Sequence, residues 1–245
     1  MNTLKKMGTV GSVGLLISGS LILGSANAAV AATCRAGVAV PTSTFTGTLV
    51  TATNFEGNSL SPFRTTTSGT GTAAVTSPKA LTGTCSARLR ATADARSVAN
   101  MHVPLAAGTK RANVDAWVNI TTAGLAGNNV PYVRFFSGSI RIADVFRNNG
   151  NGQLWLRTAN PNGTVAYTKL QAATVPLNTW QRVRMQVRAD GPRSTLQVWF
   201  GNALVFNRTV SLPSTTLSKV QFGAEHGRQM GDSYIDNVVI KRAAT

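Results

Sequence analysis

Acidic residues are scarce in this 245-residue sequence: two Glu and six Asp face 24 Lys and Arg, a formal net charge of +16. Chemistry that needs two carboxylates on one strand has little to draw on. Two His and two Cys, with no His near either Cys, leave no Cys/His cluster of the kind that binds zinc. Beyond the N-terminus no segment is long and apolar enough to span a bilayer, which takes roughly 20 apolar residues. No internal repeat and no sustained helical period is present either.

What is present begins with a leader. Lys5 and Lys6 precede an apolar stretch diluted by Gly and Ser from Val10 to Leu23, and Ala26-Asn27-Ala28 then offers a small-x-small cleavage site. This predicts a secretory signal peptide over 1–28, with a retained N-terminal anchor as the alternative. The exported chain of 217 residues suits one all-β domain. It is expected outside the cytoplasmic membrane, as a monomer and without membrane insertion.

Export into an oxidising compartment predicts a Cys34–Cys85 bridge, and two free thiols or a metal pair are the alternatives. The bridge would close a loop of about 50 residues and contribute roughly 4 kcal/mol in the chain-entropy model. Without Lys5 and Lys6 the basic count is 22 against 8 acids, a charge of +14, and 17 of the 22 are Arg. Arg presents a planar fork suited to carboxylate, sulfate or phosphate. The charge therefore admits an anionic polymer as partner, or serves only solubility and loose envelope adhesion. Nucleic acid would bind non-specifically through charge alone, and no nucleic-acid fingerprint is present.

Period-two alternation dominates the rest. Ala112, Val114, Ala116, Val118 and Ile120 alternate with more polar residues, as do Val183, Met185 and Val187, and then Leu196, Val198 and Phe200. Turn pairs such as Asn162-Gly163 and Gly201-Asn202 separate the runs. Residues 29–47 are expected to form an extension tied by Cys34, residues 65–77 a flexible loop or edge strand, and residues 48–243 a two-sheet antiparallel β-sandwich.

Three stretches carry a resemblance: Asn54-Phe55-Glu56-Gly57 with Leu60-Ser61-Pro62-Phe63; Asn178-Thr179-Trp180-Gln181-Arg182-Val183 leading to Leu196–Val205; and Val220–Ala224 with Asp232–Val238. In this order and spacing the chain resembles the concanavalin A-like lectin/glucanase group, including laminin-G-like jelly rolls of secreted bacterial proteins. That fold hosts lectins, hydrolases, lyases and structural modules, so it does not fix the function. The resemblance implies a structural calcium between Glu56 and Asp236, with Asn54 or Asn237 assisting; the alternative is that both acids pair with Arg or cap turns. The Glu-x-Asp-x-x-Glu strand of the glucanases is absent.

Alternation also aims Arg182, Arg184, Arg188 and Trp199 away from the core, together with Trp155, Arg157 and Arg141, while Ile140, Ile142 and Phe146 would face inward. If these strands share a sheet, they make a surface of Arg and Trp for an acidic extracellular polysaccharide; otherwise Arg is simply how a strand face stays polar. A non-catalytic lectin-like module is the leading expectation. A polysaccharide lyase is the second, with His226, Tyr234 and Arg228, or another of Tyr132, Tyr167 and His102, as catalytic candidates. An envelope-associated structural protein is the third.

Overall fold

The computed structural model describes residues 33–243, so the expected leader at 1–28 lies outside the described residues. Fifteen strands, numbered in chain order, form two antiparallel sheets. The eight-stranded sheet runs β13 (Ala203–Val210), β12 (Ser194–Phe200), β11 (Trp180–Arg188), β6 (Arg111–Thr122), β15 (Gly231–Ala243), β4 (Ser86–Ala91) and β3 (Thr72–Thr76), with β1 (Thr48–Thr53) also paired to β15. The seven-stranded sheet runs β10 (Val165–Gln171), β9 (Leu154–Ala159), β8 (Ile140–Arg147), β7 (Pro131–Ser137), β14 (Lys219–Gly223), β5 (Val98–Pro104) and β2 (Arg64–Ser68). The only helix among the described residues is a single 3₁₀ turn at Gly191–Arg193.

The alternating apolar residues meet between the sheets. Val114, Ala116 and Val118 of β6, Val183, Met185 and Val187 of β11, and Leu196 and Val198 of β12 join Val133, Phe135, Val145, Leu156, Val220 and Phe222 of the other sheet in one buried cluster. Each fully buried side chain of this size stabilises by about 1.5–3 kcal/mol. Positive φ at Gly163 (81°) and Gly201 (59°) closes two of the turns that the Gly pairs mark. Residues 65–77 become the edge strands β2 and β3, on different sheets.

Alternation misplaces β8. Its pairing with β7 skips Ile142 between Arg141 and Ala143, and this irregularity shifts the face of the strand. Ile142 stays in the core, whereas Ile140 is exposed, Phe146 rings with Tyr167 on the outer side, and Arg141 comes onto the same face as Asp144. The inward orientation expected for Ile140 and Phe146 is thereby corrected.

Residues 33–47 are held along the outer face of the eight-stranded sheet. The Cys34–Cys85 disulfide fixes one end. Further on, Lys241 Nζ donates to the carbonyls of Ser43 (3.0 Å) and Phe45 (2.6 Å), and Asn113 Nδ2 donates to that of Thr46 at 3.1 Å. The cover explains how polar Asn113 and Asp115 come to be buried on a face that points away from the core.

Candidate functional site

The residues expected to share one glycan surface lie on opposite sides of the sandwich. Arg182, Arg184 and Arg188 of β11 and Trp199 of β12 belong to the eight-stranded sheet; Trp155 and Arg157 of β9 and Arg141 of β8 belong to the seven-stranded one. The first group is absorbed by its surroundings. Arg182 makes two hydrogen bonds to the Asp115 carboxylate, at 2.9 and 2.8 Å. Trp199 stacks edge-on against Phe45 of the N-terminal segment, and the Arg184 guanidinium lies over its ring at 5.3 Å. Arg188 reaches Asp190 at 3.7 Å.

The second group sits in a different kind of place. Strand register puts Tyr167, Arg157, Asp144, Arg134, Gln221, His102 and Arg64 directly opposite one another, one from each strand of the seven-stranded sheet. All seven lie on the outer side of the sheet: Arg157, Asp144, Arg134, Gln221 and His102 alternate with core residues of their own strands, and Tyr167 and Arg64 share the face of the residues they pair with. A continuous row of polar residues across a whole sheet was not legible beforehand, since it needs the strand order.

The middle of the row is covered. Arg134 has no solvent exposure, and its guanidinium donates to Gln221 Oε1 (2.9 Å), the Gly223 carbonyl (2.6 Å) and Gln229 Oε1 (3.0 Å). Beside it the buried Asp144 carboxylate approaches Arg141 at 3.2 Å and Arg157 at 3.8 Å, and Glu225 approaches Arg134 at 3.8 Å and Arg141 at 3.5 Å. Three guanidiniums thus face two carboxylates, a surplus of one positive charge. Burial pushes the Asp144 carboxyl up, against the pull of Arg141, Arg134 and Arg157. Burial likewise lowers Arg134 to about 10, so it stays charged at neutral pH.

Toward β10 the row opens into a cleft. Arg141, Asp144, Phe146, Arg157, Tyr167, His226 and Gln229 line it. It continues one way to Trp155 and Asn148, and the other way to Ile140, Val165 and Pro213. Phe146 and Tyr167 meet edge to face at 6.2 Å. Three of the large apolar side chains that are exposed among the described residues, Ile140 (48%), Val165 (39%) and Tyr167 (56%), lie along this groove. An exposed apolar cluster beside paired guanidiniums is the composition of a ligand groove rather than of an ordinary solvated face.

Of the three residues named for elimination chemistry, His226 lines this cleft. Tyr234 does not: it is on β15, under Arg88 at 5.3 Å and Lys79 at 5.9 Å. Arg228 occupies the loop after His226 with a left-handed backbone (φ 69°). Among the other candidates, Tyr132 packs in the core against Phe200, and Tyr167 is the tyrosine that shares the cleft with His226.

No family model matches the chain, and no curated protein is similar to it in sequence. Among solved structures, endo-β-1,4-glucuronan lyase from the fungus Trichoderma reesei matches with a TM-score of 0.60 at 14% identity, over 75% of this chain and 92% of that one. Domain 4 of AbnA, a GH43 extracellular arabinanase from Geobacillus stearothermophilus solved with arabinotriose, matches with a TM-score of 0.54 at 14% identity, over 80% and 93%. A carbohydrate esterase from the Shiga toxin-encoding bacteriophage phi24B matches with a TM-score of 0.51 at 14% identity, over 72% and 88%. At these identities the likeness is one of fold: a jelly-roll β-sandwich of the type found in carbohydrate-active proteins.

The expected calcium residues act on one another electrostatically, and each is otherwise engaged. Glu56 accepts hydrogen bonds from the amides of Arg35 (2.6 Å), Thr84 (2.7 Å) and Cys85 (2.7 Å) and from Thr84 Oγ1 (3.2 Å). Asp236 accepts from the amides of Leu81 (2.8 Å), Thr82 (3.1 Å) and Asn237 (2.7 Å). Gly83, with φ +66°, makes room, since a Cβ there would lie 2.2 Å from Glu56 Oε1. A ring of N–H donors is the environment of a bound carboxylate and not of a cation, which needs six to eight oxygens around it. These residues do not fit calcium. Cys34 and Cys85 also approach Glu56, but both sulfurs are consumed in the disulfide.

Proposed function

We propose that the protein is an exported module that binds an acidic extracellular polysaccharide in the groove along β8, β9 and β10. The observation that carries the reading is the placement of Arg141 and Arg157 between an aromatic group, Trp155, Phe146 and Tyr167, and an apolar end at Ile140 and Val165. Guanidiniums with a surplus positive charge recognise uronate carboxylates, and an exposed Tyr ring stacks on the apolar face of a sugar. The fold likeness to carbohydrate-active proteins supports a carbohydrate partner, and the lopsided charge of the chain supports an anionic one.

A second reading, β-elimination on a uronic acid polymer, is favoured by one observation: His226 and Tyr167 line the same cleft as the two Arg. There the Arg would neutralise the uronate carboxylate, one of His226 and Tyr167 would take the adjacent C–H proton, and as the glycosidic C–O bond broke the other would give a proton to the departing oxygen. One experiment addresses both. Uronic, sulfated and neutral oligosaccharides are titrated at low and at physiological salt, with ultraviolet absorbance followed for an unsaturated product. Restricted binding of uronic oligosaccharides, weakened at least about tenfold by Arg157→Gln or Tyr167→Ala, supports the binding reading. New absorbance moves it to a lyase. Binding of every polyanion alike, lost at physiological salt, overturns both.

A further inference from the structure

All eight acidic residues have partners. Asp94 is paired with Arg96, Asp115 with Arg182, Asp144 with Arg141 and Arg157, Asp190 with Arg188 and Arg193, Glu225 with Arg134 and Arg141, and Asp232 with Arg88. Glu56 and Asp236 are taken by backbone amides. Any place where bases converge away from these eight therefore carries an uncompensated charge.

One such place is the far edge of the seven-stranded sheet. Arg64 on β2 stands directly opposite His102 on β5, and His102 stands opposite Gln221 on β14. Lys219, two residues before Gln221 on the same face, is held with its ammonium 4.3 Å from the Phe136 ring centre. The charged groups that act on His102 are Lys219 and Arg64, both repelling a proton. His102 Nδ1 is buried with no hydrogen-bond partner. Gln221 cannot supply one by turning, because its amide is already spent on Arg134 and Asn100.

We propose that Arg64, His102 and Lys219 form a second anion site, which takes a sulfate or carboxylate group at the β2 edge of the sheet. Two cations beside an imidazole, with no acid among them, oppose its protonation, and an oxyanion seated among the three turns that opposition into attraction. The site is separate from the groove at β8–β10, because the buried Arg134 and Gln221 lie between His102 and β8 in the row. Burial, Lys219 and Arg64 hold the His102 imidazole below its usual range, so the empty site is neutral at His102 near pH 7. Bound anion favours the imidazolium, and affinity rises as pH falls through the His102 titration.

The protein contains one other histidine, His226, which serves as an internal reference. The experiment is an NMR titration of both imidazoles against pH at constant ionic strength, in sodium chloride, sodium sulfate and sodium glucuronate. Sulfate, glucuronate or both should raise the His102 midpoint by about half a unit or more, a roughly threefold gain in proton affinity, while the sulfate series leaves His226 in place. Arg64→Gln and Lys219→Gln, both at solvent-accessible positions, should raise the His102 midpoint in chloride and shrink the anion-induced shift. Equal sulfate shifts at His102 and His226, no shift with either anion, or an undiminished shift in both variants overturns the proposal.

Discussion

Arg134 and Gln229, 95 residues apart in sequence, join the seven-stranded sheet to the loop above it through a hydrogen bond of 3.0 Å. The same Gln229 oxygen accepts the amides of Glu225 (2.7 Å) and His226 (3.3 Å), and its Nε2 donates to the Asn129 carbonyl at 2.8 Å. A single amide thus ties a buried guanidinium, the turn that carries His226 and the neighbouring loop into one network. The cleft's roof is built on that network.

Gln229→Ala removes those partners at once. It leaves one arm of a buried Arg and two amides unsatisfied, at a cost of about 2–4 kcal/mol. Hydrogen exchange should quicken at residues 124–130 and 224–230 and stay slow in β6 and β11. Uronate binding should weaken, because His226 and Glu225 lose their positions beside Arg141. Unchanged exchange in both loops would show that the roof is held by something else.

Trp199 and Tyr167 should respond oppositely to truncation. Trp199 is sandwiched between Phe45 and Arg184, so Trp199→Ala should cost about 2–3 kcal/mol and loosen residues 38–47 while sparing glycan binding. Tyr167 is 56% exposed, so Tyr167→Ala should change the melting temperature little and weaken uronate binding. Paired melting and binding curves for the two variants check this. Loss of binding in Trp199→Ala alone would return the site to the eight-stranded sheet.

The sandwich was legible because its core strands keep strict alternation: Val114, Ala116 and Val118 fall inside wherever β6 is placed. Arg157 and Trp155 were legible as outward residues for the same reason. Which outward residues share a face depends on strand order, and nothing local says that β9 and β11 belong to different sheets. The site residue Arg141 owes its partner Asp144 to an irregularity at Ile142, which breaks the period that the reading relied on. Arg134 was missed because a lone Arg in an apolar strand gives no sign that loops 90 residues away will bury it.

Glu56 and Asp236 should bend the pH–stability curve in opposite senses. Burial pushes Asp236 up to about 6, against the amides of Thr82, Leu81 and Asn237. Its stabilising contribution is therefore complete below the unfolded carboxylate pKa and is lost as pH rises through about 6. Burial also pushes Glu56 up, but the amides of Cys85, Thr84 and Arg35 outweigh it and hold the carboxyl below its usual range. Glu56 thus contributes above its unfolded pKa and loses that contribution in acid. Asp236→Asn should flatten the slope between about pH 4 and 6, worth on the order of 3 kcal/mol. Glu56→Gln should lower stability at neutral pH and blunt the loss in acid. Denaturant midpoints from pH 3 to 8 would expose either sign being wrong.

Reductant and chelator should act very differently on the same corner of the molecule. The segment at Arg35 is held by the Cys34–Cys85 disulfide and by the Arg35 amide on Glu56, and Asp236 is held by amides alone. A calcium ion would have to compete with N–H donors at whichever of the two carboxylates it approached. EDTA or added calcium should therefore leave the melting temperature unchanged. Reduction reopens a crosslink between residues 51 apart, worth about 4 kcal/mol, and should lower the melting temperature by several degrees and expose residues 33–47 to protease. A chelator-induced drop comparable to that of the reductant would mean that oxygen ligands, not amides, hold Glu56 and Asp236 in place.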